Sequence, residues 1–216
     1  MDPLLVMTIG QSPREDIQKE LSALLGERHI EVKGALDGLS VSQVERLVPV
    51  DAHDTFHTRL ANGDDVIVSK QAVTARLKEM LLARGDRPVL VACTGKFDDL
   101  SNHKNVLFPS EILRHLVDAV TAPRGRLGVL VPLAEQIEPF REQWGLLGRD
   151  VEVAAVKPGE NPDSAAETLK EAEVDLVVLD CFGYEMALLE RVRDITAVPV
   201  MSAVRCTAHV AAEMLG

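Results

Sequence analysis

The chain contains two matching segments, VLVACTG at 89–95 and VVLDCFG at 177–183, and each is an aliphatic run that ends in Cys-x-Gly. Continuous Val- and Leu-rich runs are typical of strands that are buried on both faces of a parallel sheet. Open α/β sheets bind ligands beyond the C-terminal ends of such strands. If the two sheets face each other, the segments place one thiol, Cys93 or Cys181, on each side of a shared cleft.

Aliphatic runs and amphipathic segments alternate along the rest of the chain, which predicts an α/β fold. The pattern predicts strands at 4–10, 31–38, 66–68, 89–93, 127–131, 151–156, 174–181 and 198–201. It predicts helices between most of them, at 40–48, 71–84, 110–121, 134–147, 164–172, 185–193 and 204–215. A first helix is predicted to begin with Ser12 as its cap, Pro13 in its first turn and Glu15 three residues after the cap. Pro123-Arg124-Gly125 is the predicted junction between the halves.

Composition excludes several classes of function. The 216 residues include 23 Lys and Arg against 34 Asp and Glu, for a net charge of −11, and no basic cluster that could bind nucleic acid. No apolar run reaches the length of a membrane span, and the N-terminus does not resemble a signal peptide, so we expect a cytoplasmic protein with no membrane partner. Three widely spaced cysteines indicate neither a disulfide framework nor a structural zinc site.

Two opposed thiols could move a proton at a carbon that lies next to a carboxylate. Inversion at such a carbon needs an acid/base group on each face, and a thiolate can accept the proton while the opposite thiol donates one. The alternative is that each cysteine is a small buried hydrophobic residue, which is common for a strand cysteine. That alternative is the expected role of Cys206, which lies in the predicted terminal helix.

The loop after the first strand is a second candidate binding element. Its backbone N–H groups at a helix start favour an anion, and Gly10, Gln11, Ser12 and Arg14 could bind a carboxylate. Alternatively, Ser12 is only a helix cap and Arg14 only a solvated side chain. The loop matches neither the dinucleotide fingerprint nor the phosphate loop, so no nucleotide cofactor is expected.

Three other features have both a functional and a structural interpretation. His53 and His57 have the spacing of a helical metal pair, but without a third ligand an exposed helix face is the favoured interpretation, and no metal is predicted. Arg59 could reach a carboxylate or form a surface ion pair. Ser202 could donate to the ligand or cap the terminal helix.

Several motifs together resemble the AroM family. They are TIGQSPR at 8–14, TRL at 58–60 with Gly63, CTGKF at 93–97, Gln136 with Trp144, and DCFGY at 180–184. The two Cys-x-Gly strand ends are also similar, more distantly, to the cofactor-independent aspartate/glutamate racemase superfamily. That resemblance implies two pseudo-symmetric parallel-sheet halves with the active cleft between them and a cysteine from each half. It implies a first domain of 1–122 with the C-terminal helix 203–216, and a second domain of 123–202.

Residue by residue, the resemblance implies that Cys93 and Cys181 are the two catalytic thiols. It implies that Thr94 and Gly95, with Phe182 and Gly183, hold the substrate carboxylate. The amino acid racemases commonly have Cys-Asn-Thr and Cys-Thr-His at these positions, and this chain has Cys-Thr-Gly and Cys-Phe-Gly. Tyr184 is the candidate to replace the missing acid beside Cys181.

The sequence therefore predicts a cofactor-independent racemase or epimerase of a small carboxylate, with an amino acid as the expected substrate. One alternative is a cis–trans isomerase or decarboxylase that uses a single cysteine. Another is a regulatory protein that binds a small carboxylate without turnover. The sequence leaves the oligomeric state open, with a homodimer as one possible assembly because symmetric dimers are the common case.

Overall fold

The computed structural model describes residues 3–26, 28–100, 102–121 and 125–215, without the side chains of Ala52 and Asp98. Its strands are β1 (Leu4–Thr8), β2 (Ile30–Gly34), β3 (Thr55–Arg59), β4 (Asp65–Ser69), β5 (Val89–Ala92), β6 (Val106–Leu107), β7 (Leu127–Val131), β8 (Val151–Ala155), β9 (Leu176–Leu179) and β10 (Val200–Ser202). Its α-helices are α1 (Glu15–Leu25), α2 (Val41–Val44), α3 (Lys70–Ala83), α4 (Pro109–Val120), α5 (Ile137–Gly145), α6 (Asp163–Glu171), α7 (Met186–Thr196) and α8 (Ala203–Leu215).

By internal packing the chain divides into two units, Met1–Phe108 and Pro109–Gly216. Helices α4 and α8 pack against each other within the second unit. The division into 1–122 with 203–216 and 123–202 stays a prediction. Its junction falls on Pro123 and Arg124, which lie outside the described residues.

The first unit is built on a four-stranded sheet in the order β2-β1-β5-β6, with every neighbouring pair parallel. The central strands β1 and β5 are buried along their whole length. Their side chains form an aliphatic core with α3, to which Val73, Leu77 and Leu81 contribute. The Val- and Leu-rich runs that predicted these two strands are explained by helices or loops on both faces of the sheet.

The second unit repeats this arrangement, with a parallel sheet in the order β10-β9-β7-β8. In the first sheet β1 lies between β2 and β5, and in the second sheet β7 lies between β8 and β9. In this comparison β1 corresponds to β7, β2 to β8, β5 to β9 and β6 to β10. The predicted fold class, α/β with two similar parallel-sheet halves, is confirmed.

The first unit also contains an antiparallel hairpin, β3–β4, that the sequence did not predict. The predicted strand at 66–68 exists as β4, but it pairs with β3 and belongs to neither parallel sheet. Phe56 and Thr58 of β3 are buried, whereas the alternate residues Thr55, His57 and Arg59 are half-buried. Polar residues at alternate positions therefore hid β3 from a search for aliphatic runs.

One predicted helix start and one predicted helix end differ from the observed ones. Helix α1 begins at Glu15 with Arg14 as its cap residue, so the predicted capping role of Ser12 is wrong. The helix predicted at 40–48 is reduced to the four residues of α2, although Gln43 does accept a hydrogen bond from the backbone N–H of Ser40. No helix within the described ranges is both long enough and apolar enough to span a membrane.

The edge strand β2 provides a pH-dependent contribution to stability through Glu31, which forms ion pairs with Arg87 at 2.7 Å and with Lys33 at 2.9 Å. The Arg87 hydrogen bond, followed by that of Lys33, lowers the pKa of Glu31 to about 2. Because the folded pKa lies below the unfolded value of about 4.5, this stabilisation is present above that pH and disappears as the pH falls through about 2.

We expect Glu31→Gln to lower the free energy of unfolding at pH 7 by about 0.5 to 1 kcal/mol, since a third of the side chain is exposed and solvent screens the pairs. Urea denaturation between pH 7 and pH 3 measures the effect. The difference from the parent protein should shrink with falling pH and with added salt. A difference that is constant with pH would contradict this assignment.

Candidate functional site

Cys93 and Cys181 follow topologically equivalent strands, β5 and β9. In the first sheet the chain crosses from β1 to β2 on one side and later returns to β5 on the other, so the strand order reverses between β1 and β5. The same reversal occurs between β7 and β9 in the second sheet. Ligands of open α/β sheets bind beyond the carboxyl ends of the strands at such a reversal. Each thiol therefore lies at the position where its own sheet is expected to bind a ligand.

The first thiol lies in a turn that immediately follows β5. The backbone N–H of Gly95 donates a hydrogen bond to the sulfur of Cys93, at 3.2 Å. Cys93 is half-buried and is not in a disulfide. Gly95 is required because a Cβ at this position would lie 2.4 Å from Cε1 of the Phe56 ring. The side chain of Phe56 therefore packs directly against the turn.

The second thiol lies in a turn of the same form after β9. Here the backbone N–H of Gly183 donates to the sulfur of Cys181, at 3.4 Å. A Cβ at Gly183 would lie 3.2 Å from Pro158, so this turn is also closely packed on its outer side. An N–H group directed at sulfur stabilises the negative charge of a thiolate. The Cys-x-Gly sequence thus encodes the same local geometry in both units.

The two turns differ in the residue that precedes the cysteine. Ala92 precedes Cys93, whereas the buried Asp180 precedes Cys181. The indole Nε1–H of Trp144, on α5, donates a hydrogen bond to the Asp180 carboxylate at 2.7 Å. This contact was not predicted from the sequence. An aspartate directly after a buried aliphatic strand could have indicated a buried carboxylate that needs a hydrogen-bond donor. The second thiol therefore has a buried acidic neighbour that the first thiol lacks.

Tyr184 lies in the core of the second unit, where its hydroxyl donates a hydrogen bond to the carbonyl of Val156 at 2.8 Å. Burial, and then the charges of Cys181 and Asp180, raise the pKa of Tyr184 well above its ordinary value. Such a group releases its proton poorly, which disfavours Tyr184 as an acid beside Cys181. Its contact with a substrate stays a prediction.

The loop between β1 and α1 already binds a carboxylate, which belongs to the protein itself. Asp37 accepts hydrogen bonds from the Ser12 N–H at 2.7 Å, from the Ser12 hydroxyl at 2.8 Å and from the Gly34 N–H at 2.8 Å. The donors that the sequence assigned to a ligand therefore have an internal acceptor. Ser12 joins this loop to the segment after β2.

Gln11 and Gly10 connect the same loop to other parts of the first unit. The Gln11 side-chain amide donates to the carbonyls of Leu36 and Leu39 and accepts from the N–H of Ala61. A Cβ at Gly10 would lie 2.3 Å from the carbonyl oxygen of Arg59 and 2.5 Å from the hydroxyl of Thr58. Both residues therefore have a structural role in holding the hairpin against the loop.

The two candidate arginines of the first unit form ion pairs with neighbouring carboxylates. Arg14 binds Asp16 through Nε at 2.9 Å and Nη2 at 2.6 Å. Arg59 binds Asp65 through Nε at 2.9 Å. Burial alone would raise the pKa of each aspartate, but the paired arginine outweighs burial and holds each pKa below its ordinary value. The predicted ion-pair alternative for Arg59 is thus confirmed.

The remaining candidates have ordinary structural environments. The Ser202 hydroxyl accepts a hydrogen bond from the N–H of Arg205 and caps α8, as one alternative predicted. Thr94 and Phe182 are buried beside their cysteines. Burial raises the pKa of the Cys206 thiol in α8.

The interpretation of His53 and His57 as one helix face is wrong. His53 lies in a short 3-10 helix and His57 lies on β3, where its Nε2 is 3.8 Å from an Asp65 carboxylate oxygen. Two histidines four residues apart form one helix face only when a single α-helix contains both, and here they belong to different elements. Among the described residues, no group of three His, Cys, Asp or Glu side chains could hold a metal ion.

The fold is that of several known isomerases and racemases. Maleate isomerase from Pseudomonas putida S16 superposes with a TM-score of 0.59 at 14% identity, over 99% of this chain and 93% of the isomerase. A glutamate racemase from Bacillus anthracis gives a TM-score of 0.59 at 17% identity, over 99% of this chain and 81% of the racemase. A glutamate racemase from Thermus thermophilus, in complex with β-chloro-D-alanine, gives a TM-score of 0.57 at 14% identity, over 99% of this chain and 80% of the racemase.

The chain therefore has the two-unit parallel α/β fold seen in these isomerases and racemases. Within that fold class it belongs to the AroM family, whose sequence model, described as AroM protein, matches residues 4–215. No curated protein sequence matches the chain.

Proposed function

We propose that this protein is a cofactor-independent isomerase that racemises or epimerises a small carboxylate, with an amino acid as the substrate class. Cys93 and Cys181 are the two acid/base groups. The observation that carries the proposal is the matching pair of turns, in which a glycine N–H donates to a cysteine sulfur at the end of equivalent strands. A packing cysteine needs no such donor, whereas a reacting thiolate is stabilised by one.

The proposed reaction consists of two proton transfers on opposite faces of one carbon. One thiolate removes the proton from the carbon next to the carboxylate, and the C–H electron pair moves into an enolate-like carboxylate. The other thiol then donates its proton to the opposite face of that carbon. The two thiols exchange their protonation states in one turnover. The N–H groups of Gly95 and Gly183 stabilise whichever sulfur carries the negative charge.

We propose that the strand ends hold the substrate carboxylate and its developing charge. The candidates are the Thr94 hydroxyl, the backbone around Gly95, and the backbone of Phe182 and Gly183. Ser12, Arg14 and Arg59 are weaker candidates, because they bind Asp37, Asp16 and Asp65 and would have to exchange these partners for a substrate. Gly10, Gln11, Tyr184 and Ser202 complete the proposed set.

A second candidate is a cis–trans isomerase that uses one nucleophilic cysteine. The observation that favours it is a difference between the two turns: a buried aspartate, Asp180, precedes Cys181, whereas an alanine precedes Cys93. A carboxylate beside one sulfur disfavours its thiolate and would leave Cys93 as the nucleophile. Maleate isomerase from Pseudomonas putida S16 has the same fold, and a cysteine-to-alanine variant of that enzyme has been crystallised with maleate. A binding protein without turnover is the third candidate.

Proton NMR in deuterium oxide tests the proposal. The full chain is incubated with a panel of L- and D-amino acids, small hydroxy acids and maleate. We expect the α-hydrogen signal of one substrate to disappear as its opposite enantiomer forms, and this inversion to be lost when Cys93→Ala or Cys181→Ala replaces the parent protein. Cys206→Ala is the matched control and should retain the exchange.

Other outcomes contradict the racemase proposal. Conversion of maleate to its trans isomer without α-hydrogen exchange would support the single-cysteine isomerase. No reaction across the panel, together with ligand binding that survives both substitutions, would support the binding protein.

A further inference from the structure

The β3–β4 hairpin packs against both loops that border the strand reversal of the first sheet. After β1, the N–H of Gln11 donates to the carbonyl of Arg59 at 3.1 Å, and Gly10 lies against Thr58. After β5, Gly95 lies against the ring of Phe56. Residues 56 and 58 are on the same buried face of β3. One face of the hairpin therefore contacts the two loops between which the first sheet is expected to bind its ligand.

Phe56 is held in place from several directions. It is 6% exposed, and β3 pairs it directly with Val68 of β4. Its ring centroid is 5.4 Å from that of Phe97, which lies four residues after Cys93. The ammonium group of Lys70 lies 5.9 Å from the ring centroid. A ring restrained in this way presents a fixed surface to the turn at Gly95.

Among the described residues of the second unit, none forms a counterpart of the hairpin. Residues 156–162, all of them described, connect β8 directly to α6 without a strand. Pro158 in this connection packs against Gly183, where Phe56 packs against Gly95 in the first unit. The same Cys-x-Gly turn is thus supported by a local proline in one unit and by an inserted hairpin in the other.

We infer that Phe56 is a positioning residue that holds the Gly95 N–H on the Cys93 sulfur. The ring occupies the space into which the turn would otherwise relax, and relaxation would lengthen the 3.2 Å hydrogen bond. The inference rests on the proposed function to the extent that Cys93 is a reacting thiol. It assigns a role to the hairpin, the element that distinguishes the first unit from the second.

Several charged groups lie on the elements that pack at this turn. Lys96 belongs to the same segment as Cys93, Lys70 begins α3, and His57 and Arg59 flank Thr58 on β3. Of these, Arg59 is paired with Asp65, and Lys70 lies over the Phe56 ring. Replacement of Phe56 by another uncharged residue changes none of these charges. A change in the ionisation of Cys93 in such a variant therefore reports on the turn.

Peptide-resolved alkylation by iodoacetamide, followed by mass spectrometry over pH 5 to 10, tests the inference on the full chain. The midpoint of each rate profile reports the stability of the thiolate, and the plateau at high pH reports the access of the reagent. We expect Phe56→Leu to raise the midpoint of Cys93 by about one pH unit, and so to slow its alkylation at pH 7 by about tenfold. The midpoint of Cys181 should not change.

Phe108→Leu is the matched control, because Phe108 packs on Phe97 with a centroid distance of 6.2 Å and contributes none of the three atoms nearest to a Cβ at Gly95. It should leave the midpoints of both cysteines unchanged. Thermal unfolding verifies that each variant is folded. An unchanged Cys93 midpoint in folded Phe56→Leu, or an equal shift in Phe108→Leu, would overturn the inference.

A second pair of variants tests the same contact from the other side. A Cβ at Gly95 must displace the turn or the ring, so Gly95→Ala should also raise the midpoint of Cys93. Pro158→Ala should shift the alkylation midpoint of Cys181 and leave that of Cys93 unchanged. Neither measurement requires a substrate, so shifted midpoints in a protein without isomerase activity would support the positioning role and reject the proposed function.

Discussion

Replacement of Cys93 or Cys181 by alanine is expected to lower the racemisation rate by about 10³-fold in each single variant, whereas Cys206→Ala retains the rate of the parent protein. General acid/base groups contribute about 10² to 10⁴ to a rate, and inversion needs a group on each face of the carbon. The two losses should be of similar size and should not add in the double variant, because racemisation already fails when one base is missing.

Solvent exchange in the single variants distinguishes two bases from one. In the two-base reaction each remaining thiol can still remove and return a proton on its own face. Cys93→Ala and Cys181→Ala should therefore exchange the α-hydrogen of opposite enantiomers in deuterium oxide without inverting them. NMR with each pure enantiomer measures this preference. A variant that loses one cysteine and still racemises would reject the two-base reaction.

Gly34→Ala is expected to give a large loss of stability, about 3 kcal/mol in the free energy of unfolding. A Cβ at Gly34 would lie 2.4 Å from the carbonyl oxygen of Gly10, 2.6 Å from Oδ1 of Asp37 and 2.7 Å from Cα of Gln11. Two of these three atoms belong to the backbone and cannot rotate away. The end of β2 must therefore move apart from the β1–α1 loop.

That movement would also break hydrogen bonds that converge on Asp37. The N–H of Gly34 and both donor groups of Ser12 bind this carboxylate, and the N–H of Leu36 donates to Gly10. Urea denaturation measures the loss. Gly145→Ala is the control, because no heavy atom lies within 4 Å of a Cβ at this end of α5. It should be neutral or stabilising by up to about 1 kcal/mol, and an equal loss in both variants would contradict the clash.

Seven of the eight strands described in the two parallel sheets were predictable from the sequence, because buried strands have local signatures, whereas the two-residue strand β6 was not predicted. The strands predicted at 89–93 and 127–131 are observed as β5 and β7, and β5 ends one residue earlier than predicted. The hairpin strand β3 was not predictable in this way. Its outward-facing residues, among them His57 and Arg59, are polar, and its inner face packs on loops.

The candidate cysteines were identified from their position alone, since both Cys-x-Gly motifs end a predicted strand. The same reasoning failed for Ser12, which was interpreted as a helix cap. The hydroxyl of Ser12 donates instead to Asp37, 25 residues further along the chain. A side chain that can satisfy a local hydrogen bond can equally satisfy a distant one, and the local sequence does not distinguish the two.

The sequence by itself therefore determined the α/β class, the two similar halves, the family and the two thiols at strand ends, because each of these depends on residues that are close together in the chain. Only the tertiary structure decided what surrounds each thiol. Phe56 supports the Cys93 turn, and Trp144 binds the carboxylate beside Cys181 from 36 residues away. Such partners are selected by packing between distant segments, and no periodicity or spacing in the chain records which segments will meet.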